Sequence, residues 1–149
     1  MGILVSPEEL KLHALSFLKK QDYMVVGTSS NNQVWSATVK FVITDEFEIV
    51  FYSRPDSRHS LNIVQNPHVS VVVTEMPPKK SGSKSIQLAG KARIVDGVEW
   101  NTYYPIYKKK VKNADSMPDY MLYAIKPDEV WMIDDKLFGV RSRVQVNFQ

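Results

Sequence analysis

Tyr52-Ser53-Arg54-Pro55-Asp56-Ser57-Arg58-His59-Ser60-Leu61-Asn62-Ile63-Val64-Gln65-Asn66-Pro67 is the stretch that decides how this chain folds. Just upstream and into it, Glu48 to Ser53 alternates Ile49 and Phe51 against Val50 and Tyr52, the two-residue period of a strand. Ser57 is a good N-cap for a short helix through about Val64, with Leu61 and Val64 expected to point inward. Asn66-Pro67 stops that helix, because proline cannot continue one and disfavours the helical region for the residue before it. A strand thus delivers the chain to a helix N-terminus, whose free amides attract an anion, with Arg54 and Arg58 alongside. Ser57 can add a hydroxyl, Arg58 a planar fork of donors, and Lys40 a point charge. The same residues also make an ordinary cap beside solvated arginines, and spacing alone does not choose between the two.

Working outward, Tyr23 to Thr28 and the run from Val34 form a hairpin around Ser29-Ser30-Asn31-Asn32. In the second strand Trp35, Ala37, Val39 and Phe41 share the expected core face, and Ser36, Thr38 and Lys40 the polar face. His68 to Glu75 and Ser85 to Val95 are further strands, and Gly90 marks a bend, a bulge or a close backbone approach. Met76 to Lys84 reads as an exposed, mobile loop. Ser6-Pro7-Glu8-Glu9 starts a helix to about Lys20 with Leu10, Ala14, Phe17 and Leu18 on one face. Val98 to about Ala114 is a second long helix, kinked at Tyr104-Pro105. Asp115 to Lys126 is ambiguous, Val130 to Ile133 is a sixth strand, and Arg141 to Gln149 is an edge segment or a free tail. With no strand-helix alternation, the pattern predicts one mainly β (α+β) domain over residues 1–149: a six-stranded antiparallel barrel with flanking helices.

Composition narrows the chemistry. The 149 residues are 44% hydrophobic and 23% charged, ordinary for a single globular domain. With no cysteine, thiolate nucleophiles, disulfides and thiolate metal sites are excluded, so redox chemistry must come from a cofactor. The formal charge of +3 permits an anionic ligand without demanding one. No run reaches membrane-spanning length and no signal-like start is present, so a cytoplasmic protein without membrane contact is expected. His13, His59 and His68 lack metal-ligand spacing, and no G-x-S-x-G elbow is present, so neither a metal site nor a serine hydrolase is expected. Lys108 to Lys110 with Lys112 fit a solvated helix end better than a nucleic-acid contact. Trp100, Tyr103, Tyr104 and Tyr107 read first as packing against the barrel or a dimer partner, and second as cover for a ligand.

The run Ser57 to Pro67, followed by Val69-Ser70-Val71-Val72-Val73, resembles the Ser-Arg-Lys helix and Asn-Pro strand start of the pyridoxamine 5′-phosphate oxidase-like family. The likeness runs back through Tyr52-Ser53 to the Trp35-to-Lys40 strand, covers roughly Phe17 to Val95, and takes in Val130-Trp131-Met132-Ile133. It implies a split β-barrel, a homodimer, and flavin mononucleotide (FMN) bound at the subunit interface. Lys40, Ser57 and Arg58 are implied at the phosphate, with His59 standing where the family has lysine. Tyr52, Ser53 and Gln87 are implied along the flavin, with the backbone of Ser36, Ala37 and Thr38 beside its ring. Trp35 replaces the family's arginine, and no Arg-x-His element of the kind that grips substrate occurs near the C-terminus, where Arg141-Ser142-Arg143 is the nearest approach. The resemblance therefore implies an FMN-dependent oxidoreductase acting on another small molecule or a nicotinamide donor, not a true pyridoxamine phosphate oxidase. The alternative is a non-enzymatic flavin-, deazaflavin- or haem-binding protein. No side chain is assigned a catalytic role.

Overall fold

Asn31 and Asn32 adopt the left-handed backbone region at φ 53° and 61°, which asparagine tolerates and a tight hairpin turn requires. They join β1 (Tyr23–Ser30) to β2 (Gln33–Ile43), with Tyr23 opposite Lys40 and Ser30 opposite Gln33. A computed structural model describes residues 5–75, 82–140 and 142–149. Ahead of the hairpin lies α1 (Pro7–Lys19), opened by a capping box between Ser6 and Glu9. After it come β3 (Ile49–Ser53), α2 (Arg58–Gln65), β4 (His68–Thr74), β5 (Lys84–Val95), α3 (Gly97–Lys110), β6 (Met121–Asp134), α4 (Asp135–Phe138) and β7 (Arg143–Gln145).

The strands run β3-β2-β1-β4-β5-β6, and β6 returns to pair with β3, closing a six-stranded antiparallel barrel. β7 adds to the distal half of β6, where Trp131 faces Gln145 and Ile133 faces Arg143. The long β6 absorbs much of the segment that was ambiguous by pattern. Its first half is buried on both sides and therefore shows no alternation. Gly90 supplies the expected bulge: Ala89 pairs with Glu129 and Gly90 with Pro127, which skips Asp128. A Cβ on Gly90 would lie 2.4 Å from the Lys126 carbonyl oxygen, so the barrel wall closes there only around glycine. α3 continues through Pro105 to Lys110. Met76 to Ser81 of the expected loop, and Arg141, lie outside the described residues.

Two cores stack on the barrel wall. Inside it, Met24, Val26, Phe41, Ile49, Phe51, Val71, Val73, Ile86 and Met132 pack together, and Leu10, Ala14, Phe17 and Leu18 of α1 plug the end. Outside it, Val50, Tyr52, Leu122 and Ala124 pack against Tyr107, Val111 and Ala114 beneath α3. β3 lies between the two and all five of its residues are buried. Each large side chain removed from water there contributes about 2 kcal/mol.

Two expected orientations are reversed. α2 buries Ser60 and Ile63, while Leu61 and Val64 face outward. Asn62 and Asn66 donate amide hydrogens to Thr28 and Ser29 of β1, both at 3.0 Å, and this seating sets the rotation of the helix. Trp35 does not enter the core with Val39 and Phe41. It lies near the hairpin tip opposite Thr28, past the packed interior, and stays 43% exposed.

Candidate functional site

The turn after β3 brings Ser53, Ser57, His59 and Ser60 into one polar knot. The Ser57 hydroxyl lies 2.8 Å from the Arg54 carbonyl, 2.7 Å from Ser60 Oγ and 3.2 Å from His59 Nε2, and accepts from the Ser60 amide. His59 Nε2 is also 2.9 Å from Ser53 Oγ. Burial pushes the His59 imidazole below its ordinary pKa, which favours the neutral ring at pH 7. The knot holds the first turn of α2 in place, and its leading amides, at Arg58 and His59, have no acceptor within the helix.

The two arginines are used differently. Arg54 forms a two-point pair with Asp56, at 3.0 Å for each bond, so its charge is already matched. Arg58 has no carboxylate partner among the described residues; its guanidinium lies 4.3 Å over the centre of the Trp35 ring. An uncommitted cation therefore stands over a helix start, which suits a phosphate.

From this end the outer face of β2 presents Ser36, Thr38 and Lys40 in alternation, all exposed, while Ala37 turns towards the core. Lys40 is five residues beyond Trp35, or about 16 Å at the rise of a strand. It borders a cleft of about 500 Å³ with Tyr23, Lys110 and Lys112. There the Lys110 ammonium, pushed below its usual pKa by burial, donates to the Gln21 carbonyl.

Tyr52 is positioned away from this face. Its ring packs among Trp100, Tyr104, Tyr107 and Tyr120 at 5.4–6.3 Å between centres, and its hydroxyl donates to the Met117 carbonyl at 3.1 Å. The α3 aromatics are a packing cluster, as their spacing suggested. Ser53 is buried and bonded to His59, so it supports the cradle from beneath. Gln87 lies on the outer face in the cross-strand row Thr38, Val25, Val72, Gln87, Trp131. Three strand spacings place it about 14 Å from Thr38. It lines a shallow cleft of about 320 Å³ with Glu129, Trp131 and Arg143. The structure therefore joins Ser53, Ser57, His59 and Ser60 in one knot, with Arg58 beside it on Trp35; Ser36, Thr38 and Lys40 share the other face of β2, and Gln87 lies three strands across from Thr38. The roles of Trp35 beneath Arg58 and of Asn62 and Asn66 as anchors had no local signal, because each depends on which strand the helix meets.

The chain is thus a closed antiparallel barrel with a polar helix start beside it. The sequence matches the pyridoxamine 5′-phosphate oxidase family over residues 10–134, and the chain belongs to that family. No curated protein matches the sequence. Among solved structures, the haem-binding protein from Mycobacterium smegmatis superposes with a TM-score of 0.78 at 14% identity over 98% of this chain; the chain spans 60% of that protein. HutZ, the haem storage protein from Vibrio cholerae, gives 0.70 at 18% identity over 81% of this chain and 92% of its own. A FAD-binding protein from Mesorhizobium loti gives 0.68 at 17% identity, over 80% and 90% respectively. At these identities the superpositions establish the fold.

Proposed function

We propose that this chain binds a flavin nucleotide carrying the FMN moiety and serves as an oxidoreductase for a small organic substrate or a nicotinamide donor. The observation that carries this reading is Arg58, a guanidinium with no carboxylate partner among the described residues, stacked on Trp35 at the first turn of α2. Ser57 and the leading amides of α2 would complete the phosphate site, and the flavin would lie along β2 towards Lys40. The membership of the family and the FAD-binding relative support it. When bound, the flavin supplies hydride or electron transfer. The chain's own part is to fix the phosphate, present a flat strand face, and leave the cleft at Lys40 open to substrate.

The cofactor is proposed to lie at the interface of a homodimer. Val25 and Val72 are paired across β1 and β4 on the outer face and are each 41% exposed, an apolar patch that a second copy would cover. Val72→Lys should shift the chain to monomer in sedimentation. Among the described residues no helix is long and apolar enough to cross a membrane.

The direct test is the absorbance spectrum of the purified protein, with mass identification of whatever denaturation releases. Arg58→Ala should weaken binding of added flavin about tenfold or more, the size of a charge-assisted phosphate contact. A colourless protein that takes up no flavin at micromolar concentration refutes the reading. The second reading is a non-enzymatic carrier of flavin, deazaflavin or haem. The haem-binding protein of M. smegmatis and the haem storage protein of V. cholerae favour haem, and His68 at the exposed start of β4 is, among the described residues, not engaged like His13 or His59. Titration with haemin that yields a stoichiometric Soret band, without flavin uptake, would establish that alternative.

A further inference from the structure

The cleft of about 500 Å³ beside Lys40 has in its wall a lysine that flavin binding does not use. Lys110, the last residue of α3, keeps only 26% of its side chain exposed, and its amine lies 5.2 Å from the centre of the buried Phe41 ring. It donates to the Gln21 carbonyl and lies 3.5 Å from the carbonyl oxygen of Phe41, so two backbone acceptors fix its position. A neutral amine has two hydrogens for those two carbonyls and a lone pair left over.

The surroundings favour loss of the third proton. Burial beside Phe41 holds the amine below its usual pKa, and Asp22, 3.8 Å away but itself 72% exposed, opposes this weakly. The other charged groups lining the cleft are Lys40 on β2, which lies over the Tyr23 ring, and Lys112 beyond the end of α3. Both are exposed, and neither is paired with a carboxylate among the described residues. A half-buried amine next to other cations is the arrangement that activates a lysine towards carbonyl compounds. The two free cations attract an anionic group on the same molecule.

We propose that this cleft captures a small carbonyl compound bearing a carboxylate, a 2-oxo acid or an aldehyde acid, as an imine on Lys110. The neutral Nζ adds to the carbonyl carbon, and one N–H proton passes to the carbonyl oxygen. The resulting carbinolamine loses that hydroxyl and the second N–H proton as water, which leaves a C=N bond. No electrons are exchanged, so neither an oxidant nor a reductant is needed. Lys40 and Lys112 hold the carboxylate. The capture uses this chain's own residues alone and is independent of flavin uptake, which a flavin titration of the same sample reads separately.

The test is trapping. The full-length chain is incubated at neutral pH with glyoxylate or with acetaldehyde, each with cyanoborohydride to reduce any imine, and peptide mass spectrometry follows the rate at each lysine. Rates at Lys110 are read against its exposed neighbour Lys109, which cancels the difference in intrinsic reactivity between the two aldehydes. Lys110 should outpace Lys109 with both, and its lead should be at least about tenfold larger with glyoxylate, the size of one charge-assisted contact. Replacing both Lys40 and Lys112 by glutamine should cut the glyoxylate lead to that seen with acetaldehyde. Rates at Lys110 equal to or below those at Lys109 overturn the proposal and leave the amine a tie between α3 and the Gln21 backbone. A lead that is the same for both aldehydes also overturns it, as does one that the double glutamine variant leaves unchanged, since the cleft would then not read the carboxylate.

Discussion

Replacing Tyr52 with phenylalanine separates a packing role from a cofactor role at one atom. The Tyr52 hydroxyl donates to the Met117 carbonyl at 3.1 Å in a part-buried setting, while its ring touches Trp100, Tyr104, Tyr107 and Tyr120. Tyr52→Phe keeps the ring contacts and removes one hydrogen bond, leaving the carbonyl to the Tyr120 amide alone. The expected cost is about 1 kcal/mol, or roughly 3 °C in Tm for a chain of this size. Tyr52→Ala empties the centre of the aromatic cluster and should cost about 3–5 kcal/mol. Urea unfolding followed by circular dichroism measures both, and flavin titration of the same samples measures the site. Because the ring faces α3 and not the outer strip of β2, Tyr52→Phe should hold flavin within about twofold of wild type. Wild-type stability together with a tenfold loss of flavin affinity would refute the reasoning, by showing that the hydroxyl serves the ligand instead of Met117.

Burial pushes the Tyr107 phenol up to about 12, and Tyr104 is raised similarly by burial and Asp115. A pKa raised on folding gives stability that is intact below pH of about 10 and is lost as pH climbs through about 12. Urea midpoints should therefore fall over that window, and Tyr107→Phe should flatten the fall; a flat wild-type profile counts against the buried cluster. Asp134 titrates in the opposite sense. Burial raises its pKa, but the hydrogen bonds from His13 and the Leu137 amide and the nearby Lys84 outweigh that and leave it lowered, so its contribution is present above about pH 4 and fades as acid protonates it. Asp134→Ala should lose about 3 kcal/mol at neutral pH by unpairing His13 and uncapping α4, and should be less acid-sensitive than wild type. Calorimetry at several pH values would decide it. Gly90→Ala meets fixed backbone at 2.4 Å and should cost about 2–3 kcal/mol, whereas Gly27→Ala meets only the rotatable Ser70 hydroxyl and should cost less. Equal losses in denaturant titrations would mean that the wall at Gly90 yields.

The parts of the fold legible in the sequence are those set by near neighbours. The Ser6 capping box, the Asn31-Asn32 turn, the Ser57 cap, the Asn66-Pro67 stop and the bulge at Gly90 all follow from local backbone chemistry, and all are present. β6 was half hidden because a strand buried on both faces has no polar alternation to read. The inward turn expected of Leu61 and Val64 failed for a related reason: a rotation of about 100°, one residue's worth, set by Asn62 and Asn66 on β1, exchanges which residues of a short helix face the core.

The candidate site divides along the same line. The sequence by itself determined that a strand ends in a capped helix with arginines beside it, that a polar alternation runs along β2, and that both belong to one antiparallel barrel. Only the tertiary structure decided that Arg54 is spent on Asp56 while Arg58 stacks on Trp35, that Tyr52 belongs to the α3 core, and that Gln87 shares a cross-strand row with Val72. The physical reason is that period and capping act over a few residues. Whether a charge is free, and which face of a strand meets a helix, is settled by partners that the chain brings together only when the barrel closes.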